Sequence, residues 1–243
     1  MQTPEKLTQV LPETAWNNET LPSGIPPEDK VVVTITRQFG SGGAEIGHLI
    51  SDKSQLQYVD RSIIERVASR LGVDTRQVER QDEQTAGISG HVFESIKASN
   101  PFFTNYGSLF GKPSNAPQSK ELAYLHLTQR VILEAATEGD VVIVGRGSQF
   151  LLHNLSRTLH VYIFAPLPYR IENVMRQYQL THAEADHLIS LHDYEHDSYL
   201  RHYYGSDGHQ PGLYHLLINT SLFSFELAAD LIYQALPLIK EIH

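Results

Sequence analysis

The chain has 243 residues, 41% hydrophobic and 19% charged, which is enough to bury the core of one α/β domain. Its net charge of -9 argues against non-specific nucleic-acid binding, which needs Lys and Arg to neutralise phosphates, but leaves room for a local cluster holding one small anion. Cysteine is absent, which excludes disulfides and thiolate metal sites, and no apolar stretch approaches the roughly 20 residues of a membrane span. With no signal-peptide h-region at the N-terminus, these features are those expected of a cytoplasmic protein.

Residues 1–29 carry five prolines and no clear period, and are read as a loose arm preceding a domain over 30–243. VVVTIT, Val31 to Thr36, is a continuous β-branched run that predicts a strand buried on both faces. Glycines at 40, 42 and 43 follow, then a helical stretch to about Lys53 and a short strand LQYV, Leu56 to Val59. Asp60 is placed to cap a helix whose apolar face is Ile63, Ile64, Val67, Ala68 and Leu71, with Gly72 as its stop. A charged helix is expected over Asp74 to Gln84. The Ser/Asn/Gly/Pro-rich stretch that follows, to Gln118, reads as an insertion. A long helix is predicted over Lys120 to Glu138, then the strand VVIV and the turn Gly145-Arg146-Gly147. LHVYIFA, Leu159 to Ala165, is a fourth strand, and Pro168 fits the start of a helix. Thr181 and Glu184 form a T-x-x-E capping box opening a helix that reaches Tyr204. YHLLINT, Tyr214 to Thr220, is a fifth strand, and Phe223 to Ile239 a closing helix. Strands alternating with helices predict a parallel sheet covered on both faces, with ligands at the carboxyl ends of its strands.

Three features carry candidate chemistry. In TRQFGSGGAEIG, glycines between a buried strand and a helix allow backbone N–H groups to turn inward around an anion, next to the positive end of the helix. A P-loop reads G-x-x-x-x-G-K-[ST]. Here Gly42 fills the second glycine slot, Gly43 the lysine slot, and Ala44 and Glu45 follow. Arg37, at the strand end, is the available substitute for the lost cation. A dinucleotide fingerprint would need glycine where Glu45 stands, although Asp60 sits where a ribose-binding acid belongs. The second feature is Arg146, flanked by two glycines at a strand end. The third, His192 to His196 (HDYEH), matches the zinc motif H-x-x-E-H. No third ligand accompanies it, so a histidine-rich helix without zinc is expected.

In order along the chain, VVVTITRQFGSGGAEIG, QYVDRSIIERVASRLGV, VVIVGRGSQFLL, LHVYIFAPLPYRIENVMRQY and YHLLINTS resemble the cytidylate kinase-like family, a bacterial branch of the P-loop nucleoside monophosphate kinases. The resemblance spans about residues 31 to 240. It implies a P-loop NTPase three-layer α/β fold: a five-stranded parallel sheet with helices on both faces, an NMP-binding insertion over 74–118 and a helical lid over 181–212. ATP with Mg²⁺ would be the phosphoryl donor. Gly40, Ser41, Gly42 and Gly43 would be the phosphate loop, with Asn219 and Thr220 near the adenine side. Asp60, Arg66, Arg146, Asp193 and Arg201 would bind the acceptor, with Arg37, Arg146 and Asp60 carrying catalysis. The chain departs from the pattern at Gly43 for lysine, at Ala44 where the branch usually has arginine, and at Gly147 for the aspartate of G-R-D. Tyr194 and His196 stand where the lid commonly has arginines. Two functions follow as expectations: phosphoryl transfer to a small acceptor such as CMP, or nucleotide binding without turnover in a regulatory role. The partners expected are nucleotides or other small phosphorylated molecules, not nucleic acid or membrane.

Overall fold

The computed structural model describes residues 30–62, 64–65 and 120–239. The arm 1–29, the insertion 74–118 with its charged helix, and Arg66 lie outside the described residues.

Five strands form one all-parallel sheet. They are β1 (Val32–Arg37), β2 (Gln57–Val59), β3 (Val141–Val144), β4 (Thr158–Phe164) and β5 (Leu216–Asn219), in the spatial order β2-β3-β1-β4-β5. β1 is central, which is why its whole apolar run is buried. The helices are α1 (Gly43–Ser54), α2 (Lys120–Glu138), α3 (Ser148–Leu151), α4 (Leu167–Tyr178), α5 (His182–Tyr204) and α6 (Phe225–Ile239). The fold expected from the sequence is therefore the one observed, with two local differences. Gly145-Arg146-Gly147 opens a four-residue helix, α3, too short to leave a period in the sequence. Leu167, not Pro168, begins α4, so the proline takes the second position.

Alternation along the central strand splits the core. Val33 and Ile35 join Ile46 and Ile50 of α1 and Ile232 and Leu236 of α6 on one face. Val32 joins Ile143, Ile132 of α2 and Leu152 on the other. A third cluster, Ile171 and Val174 of α4 with Ala185 and Ile189 of α5, packs Phe39 of the glycine loop against it. It ties the helices beyond the sheet to the carboxyl edge of β1. The Thr181 hydroxyl accepts from the Glu184 N–H while Glu184 accepts from the Thr181 N–H, as the capping box requires, and Gly205 in the left-handed region ends the helix.

A buried histidine sits within the sheet interior. His160, in the middle of β4 beside Thr34, shares a 2.7 Å hydrogen bond with the Thr34 hydroxyl through Nδ1 and stacks on His215. Burial, and then the neighbouring His215 and His153, pushes its pKa down to about 3. The native state therefore keeps His160 neutral, while the unfolded chain protonates it below about pH 6.5. Since the unfolded state then binds more protons, stability is retained above that pH and lost as pH falls below it. The expected slope is about 1.4 kcal/mol per pH unit from this residue. Urea titrations at a series of pH values from 7.5 down to 5 should show a slope, and His160→Gln should reduce it by about that amount.

Candidate functional site

The site lies at the carboxyl edge of β1, β3, β4 and β5. From Gln38 to Gly42 the chain is fastened on every side. Gln38 N–H donates to the Ile163 carbonyl (3.1 Å), and the Gln38 side-chain oxygen accepts from Ala165 N–H (3.1 Å). The Ser41 hydroxyl donates to the Gln38 carbonyl (2.8 Å), the Asn173 amide to the Gly40 carbonyl (3.1 Å), and the Thr220 hydroxyl to the Ser41 carbonyl (2.8 Å). Gly42, in the left-handed region at φ 85°, is the N-cap of α1, and no side chain caps that helix. Its first-turn N–H groups, which lack partners within the helix, are thus left for a ligand, and the positive helix end favours an anion there.

Arg37 explains two of the glycines. A Cβ on Gly43 would lie 2.5 Å from the Arg37 Cβ and 2.9 Å from its Cγ. A Cβ on Gly145 would lie 2.3 Å from its Nη1. The stem of Arg37 passes against the start of α1, and its head rests over the turn after β3. Burial, and next the charge of Arg146, pushes the Arg37 pKa down, while Tyr58 and Asp60 work the other way. Among the described residues Arg37 makes no ion pair. It is a cation held at a cost beside a second cation, an arrangement an anion relieves.

Arg146 adopts a left-handed conformation at φ 60°, between Gly145 and Gly147, both also left-handed. Such a backbone costs a non-glycine residue roughly 1 kcal/mol or more. It aims the side chain at the Tyr124 hydroxyl (Nη2 to oxygen 3.2 Å) and at Glu65 (3.8 Å), over the rings of Tyr124 and Tyr199. Its Nε is buried without a partner. The Tyr204 hydroxyl donates to the Arg146 carbonyl (3.3 Å), which ties the end of α5 to this turn.

The other residues singled out in the sequence are distributed as follows. Asp60 accepts from the Ser62 hydroxyl (2.7 Å) and is near enough to Tyr58 and Arg37 to act on both pKa values. Tyr58 is pushed up to about 12, by burial first and Asp60 second. Asp193 accepts from the Phe39 N–H (3.1 Å) and from Arg170 Nη1 (2.6 Å), so its carboxylate is engaged with the glycine loop. Arg201 is exposed, pairs with Asp207 (3.7 Å) and does not line the cleft. Asn219 caps its own turn, accepting from the N–H and hydroxyl of Ser221. Thr220 braces the loop.

Several residues of the site left no sequence signal that had been read. Arg170, buried on α4, donates to the Ala165 carbonyl (3.1 Å), the Phe39 carbonyl (3.2 Å) and Asp193. An arginine six residues beyond the end of β4, in APLPYR, was the available signal. The two histidines of HDYEH part company. His192 stacks on Phe39 with ring centroids 4.2 Å apart, whereas His196 lines a cleft with Arg37 and Tyr162. Among the described residues no group of three or more His, Cys, Asp or Glu is placed to hold a metal ion. A Mg²⁺ here would rest mainly on the oxygens of its nucleotide and on water, as Mg²⁺ often does.

A parallel sheet in this order, with a glycine loop joining its central strand to an uncapped helix, defines a P-loop NTPase-type α/β protein. A model of the Cytidylate kinase-like family matches residues 32–222, and the chain belongs to that family. It is 25% identical over 201 residues to a cytidylate kinase of Pyrococcus horikoshii, covering 82% of this chain and 85% of that one. It is 25% identical over 205 residues to a cytidylate kinase of Sulfolobus acidocaldarius, covering 82% and 91%. The crystal structure of an uncharacterized protein from Eubacterium ventriosum shares the fold, with a TM-score of 0.61 at 15% identity over 86% of this chain and 99% of that one. Among the described residues no helix is long and apolar enough to cross a membrane.

The position of Arg37 yields a stability test. Gly43→Ala is expected to cost about 1–3 kcal/mol, the range for overpacking, because its Cβ would overlap the Arg37 stem. In an Arg37→Ala background, which keeps only the Cβ, part of that cost should disappear. A double-mutant cycle by chemical denaturation measures the coupling, and additivity of the two changes would contradict the steric account.

Proposed function

We propose that this chain transfers a phosphoryl group from ATP to a small phosphorylated acceptor, with a nucleoside monophosphate such as CMP as the acceptor. The observation that carries the reading is the convergence of Arg37 and Arg146 on one strand edge beside a glycine loop whose helix is left uncapped. The names of the relatives agree with it. Bound ATP with Mg²⁺ would supply the transferable phosphoryl group. The loop amides from Gly40 to Gly43 and the start of α1 would hold the donor phosphates, and Thr220 and Asn173 keep that loop in shape. Arg37, spanning from the lysine slot to the turn after β3, reaches between donor and acceptor positions and would neutralise charge spread over the transferred group. Arg146 would orient the acceptor phosphate, since its Nε and the face toward Arg37 are not consumed by Tyr124. Asp60, acting on Tyr58 and Arg37, would orient the acceptor or act through the metal.

A second reading, nucleotide binding without turnover, has its own observation. Arg170 and Asp193 join α4 and α5 to the backbone of the loop at Phe39, a direct link between those helices and the loop through which a bound nucleotide would act on them. Ala44 is exposed at the first turn of α1 and offers no cation. A coupled assay with ATP, Mg²⁺ and CMP, dCMP or UMP separates the two readings.

Two outcomes are expected. Arg37→Met keeps the stem but removes a desolvated charge, so it should leave the melting temperature unchanged or raise it. It should also lower kcat/KM by about 10³-fold, the lower end for a transition-state arginine. Loss of stability with retained turnover would reverse this assignment. Ala44→Arg should tighten ATP and raise turnover with little change in folding, since the position is exposed in the first turn of α1. A normally folded variant with neither effect would favour the second reading.

A further inference from the structure

The cleft beside Arg37 contains a histidine where the family's lid carries arginine. His196, on α5, shares this cleft with Arg37 of β1 and Tyr162 of β4, and its Nε2 is closed off from solvent with no hydrogen-bond partner. A buried ring nitrogen left unpaired is costly, and it marks a place where a partner is missing. The acids around it are already committed. Asp193 is held by Arg170 and the Phe39 N–H, and Asp197 lies 3.3 Å from His209 Nε2, an ion pair when that histidine is protonated. Asp207 is held by Arg201 at 3.7 Å and by the His209 N–H at 3.1 Å. The uncommitted charge facing His196 is thus that of Arg37, with Arg146 behind it.

Burial keeps the ring neutral, and those cations act in the same direction. Burial first, then Arg37, His209 and Arg146, pushes the His196 pKa down to about 3. An oxyanion entering beside Arg37 would oppose the effect of these cations on the ring and give Nε2 an acceptor. We propose that His196 is a proton-gated oxyanion ligand: a phosphate group bound by Arg37 and Arg146 draws one proton from solvent onto Nε2, and the resulting imidazolium donates to it. The proton leaves again with the phosphate. The proposal rests on reading the cleft as the phosphate site of a phosphotransferase. It adds that affinity for phosphate groups rises as pH falls, which an arginine at the same place would not produce.

Sulfate is the probe, because its charge does not change between about pH 5 and 8. Calorimetric titration of the full chain at pH 6, in two buffers of different ionisation enthalpy, counts protons taken up per sulfate. The expected result is uptake approaching one proton. Affinity should rise several-fold per unit fall in pH, up to the roughly tenfold limit for one coupled proton. In His196→Gln the uptake and the pH dependence should vanish while weaker sulfate binding persists, and in His209→Gln the uptake should remain. Sulfate binding without proton uptake in the native protein overturns the proposal without recourse to any variant. So does uptake that survives in His196→Gln, and so does the absence of sulfate binding. Turnover with nucleoside monophosphates, measured on the same preparations, separates the two levels. Turnover without proton-linked binding removes only the role of His196, whereas loss of both turnover and sulfate binding removes the phosphate-site reading as well.

Discussion

The site depends on where one side chain goes. Arg37 leaves the end of the central strand, presses its stem against the first residue of α1 and lays its guanidinium over Gly145. Everything it passes must yield space. A lysine at 43 would need a Cβ 2.5 Å from the Arg37 Cβ and 2.9 Å from its Cγ, so the backbone as it stands here favours glycine at that position. The exchange also changes the chemistry. Lysine offers a compact charge on a flexible stem, whereas arginine offers a rigid fork with five donors, which can face phosphate oxygens on more than one side. The fork rests against Gly145, so the positive charge sits at the turn after β3.

A second constraint is the attachment of α4 and α5 to the loop. Arg170 binds the Phe39 carbonyl and Asp193, Asp193 binds the Phe39 N–H, and His192 stacks on the Phe39 ring. Phe39 thereby reports the position of both helices to the backbone two residues after Arg37. Opening α5 would break an ion pair whose arginine is 8% exposed, and such a break is expensive. The coupling runs through directly touching groups, and any movement of α5 that admits a ligand must be accompanied by a change at Phe39.

The fold was legible in the sequence because its signals are local. A β-branched run marks a strand buried on both faces, and T-x-x-E marks the start of α5. The short helix α3 was read only as a turn, since four residues cannot show a 3.6-residue period. At the site, the glycines, Arg37 and Arg146 were legible as residues at strand ends, but their directions were not. Arg37 was legible as the substitute for the missing lysine, but the direction of its head was not, because that head rests over Gly145, contributed by a strand more than a hundred residues away. HDYEH read as a potential zinc pair because i and i+4 share a helix face, yet the two rings are separated by the packing of Phe39 against one and the cleft beside Arg37 against the other. Arg170 carried no motif at all. Its importance comes from the carbonyls it meets, and those are visible only once the loop is folded.

The charge economy of the chain follows from the same geometry. A protein with a net charge of -9 places two arginines against each other, one desolvated and the other in a left-handed backbone. Neither feature helps folding, since desolvation, like-charge proximity and the strained turn each oppose it. The compensations lie around the pair rather than within it. Tyr124 and Tyr199 give Arg146 aromatic faces, Glu65 gives it a distant counter-charge, and Asp60 acts on Arg37 from beside Tyr58. These partners hold the cations in place without neutralising them. An acid close enough to pair fully with Arg37 would stabilise the free protein and would compete with any anionic ligand by the same amount. The edge therefore retains an unbalanced positive charge in an otherwise acidic molecule, and that imbalance is what an incoming phosphate can use.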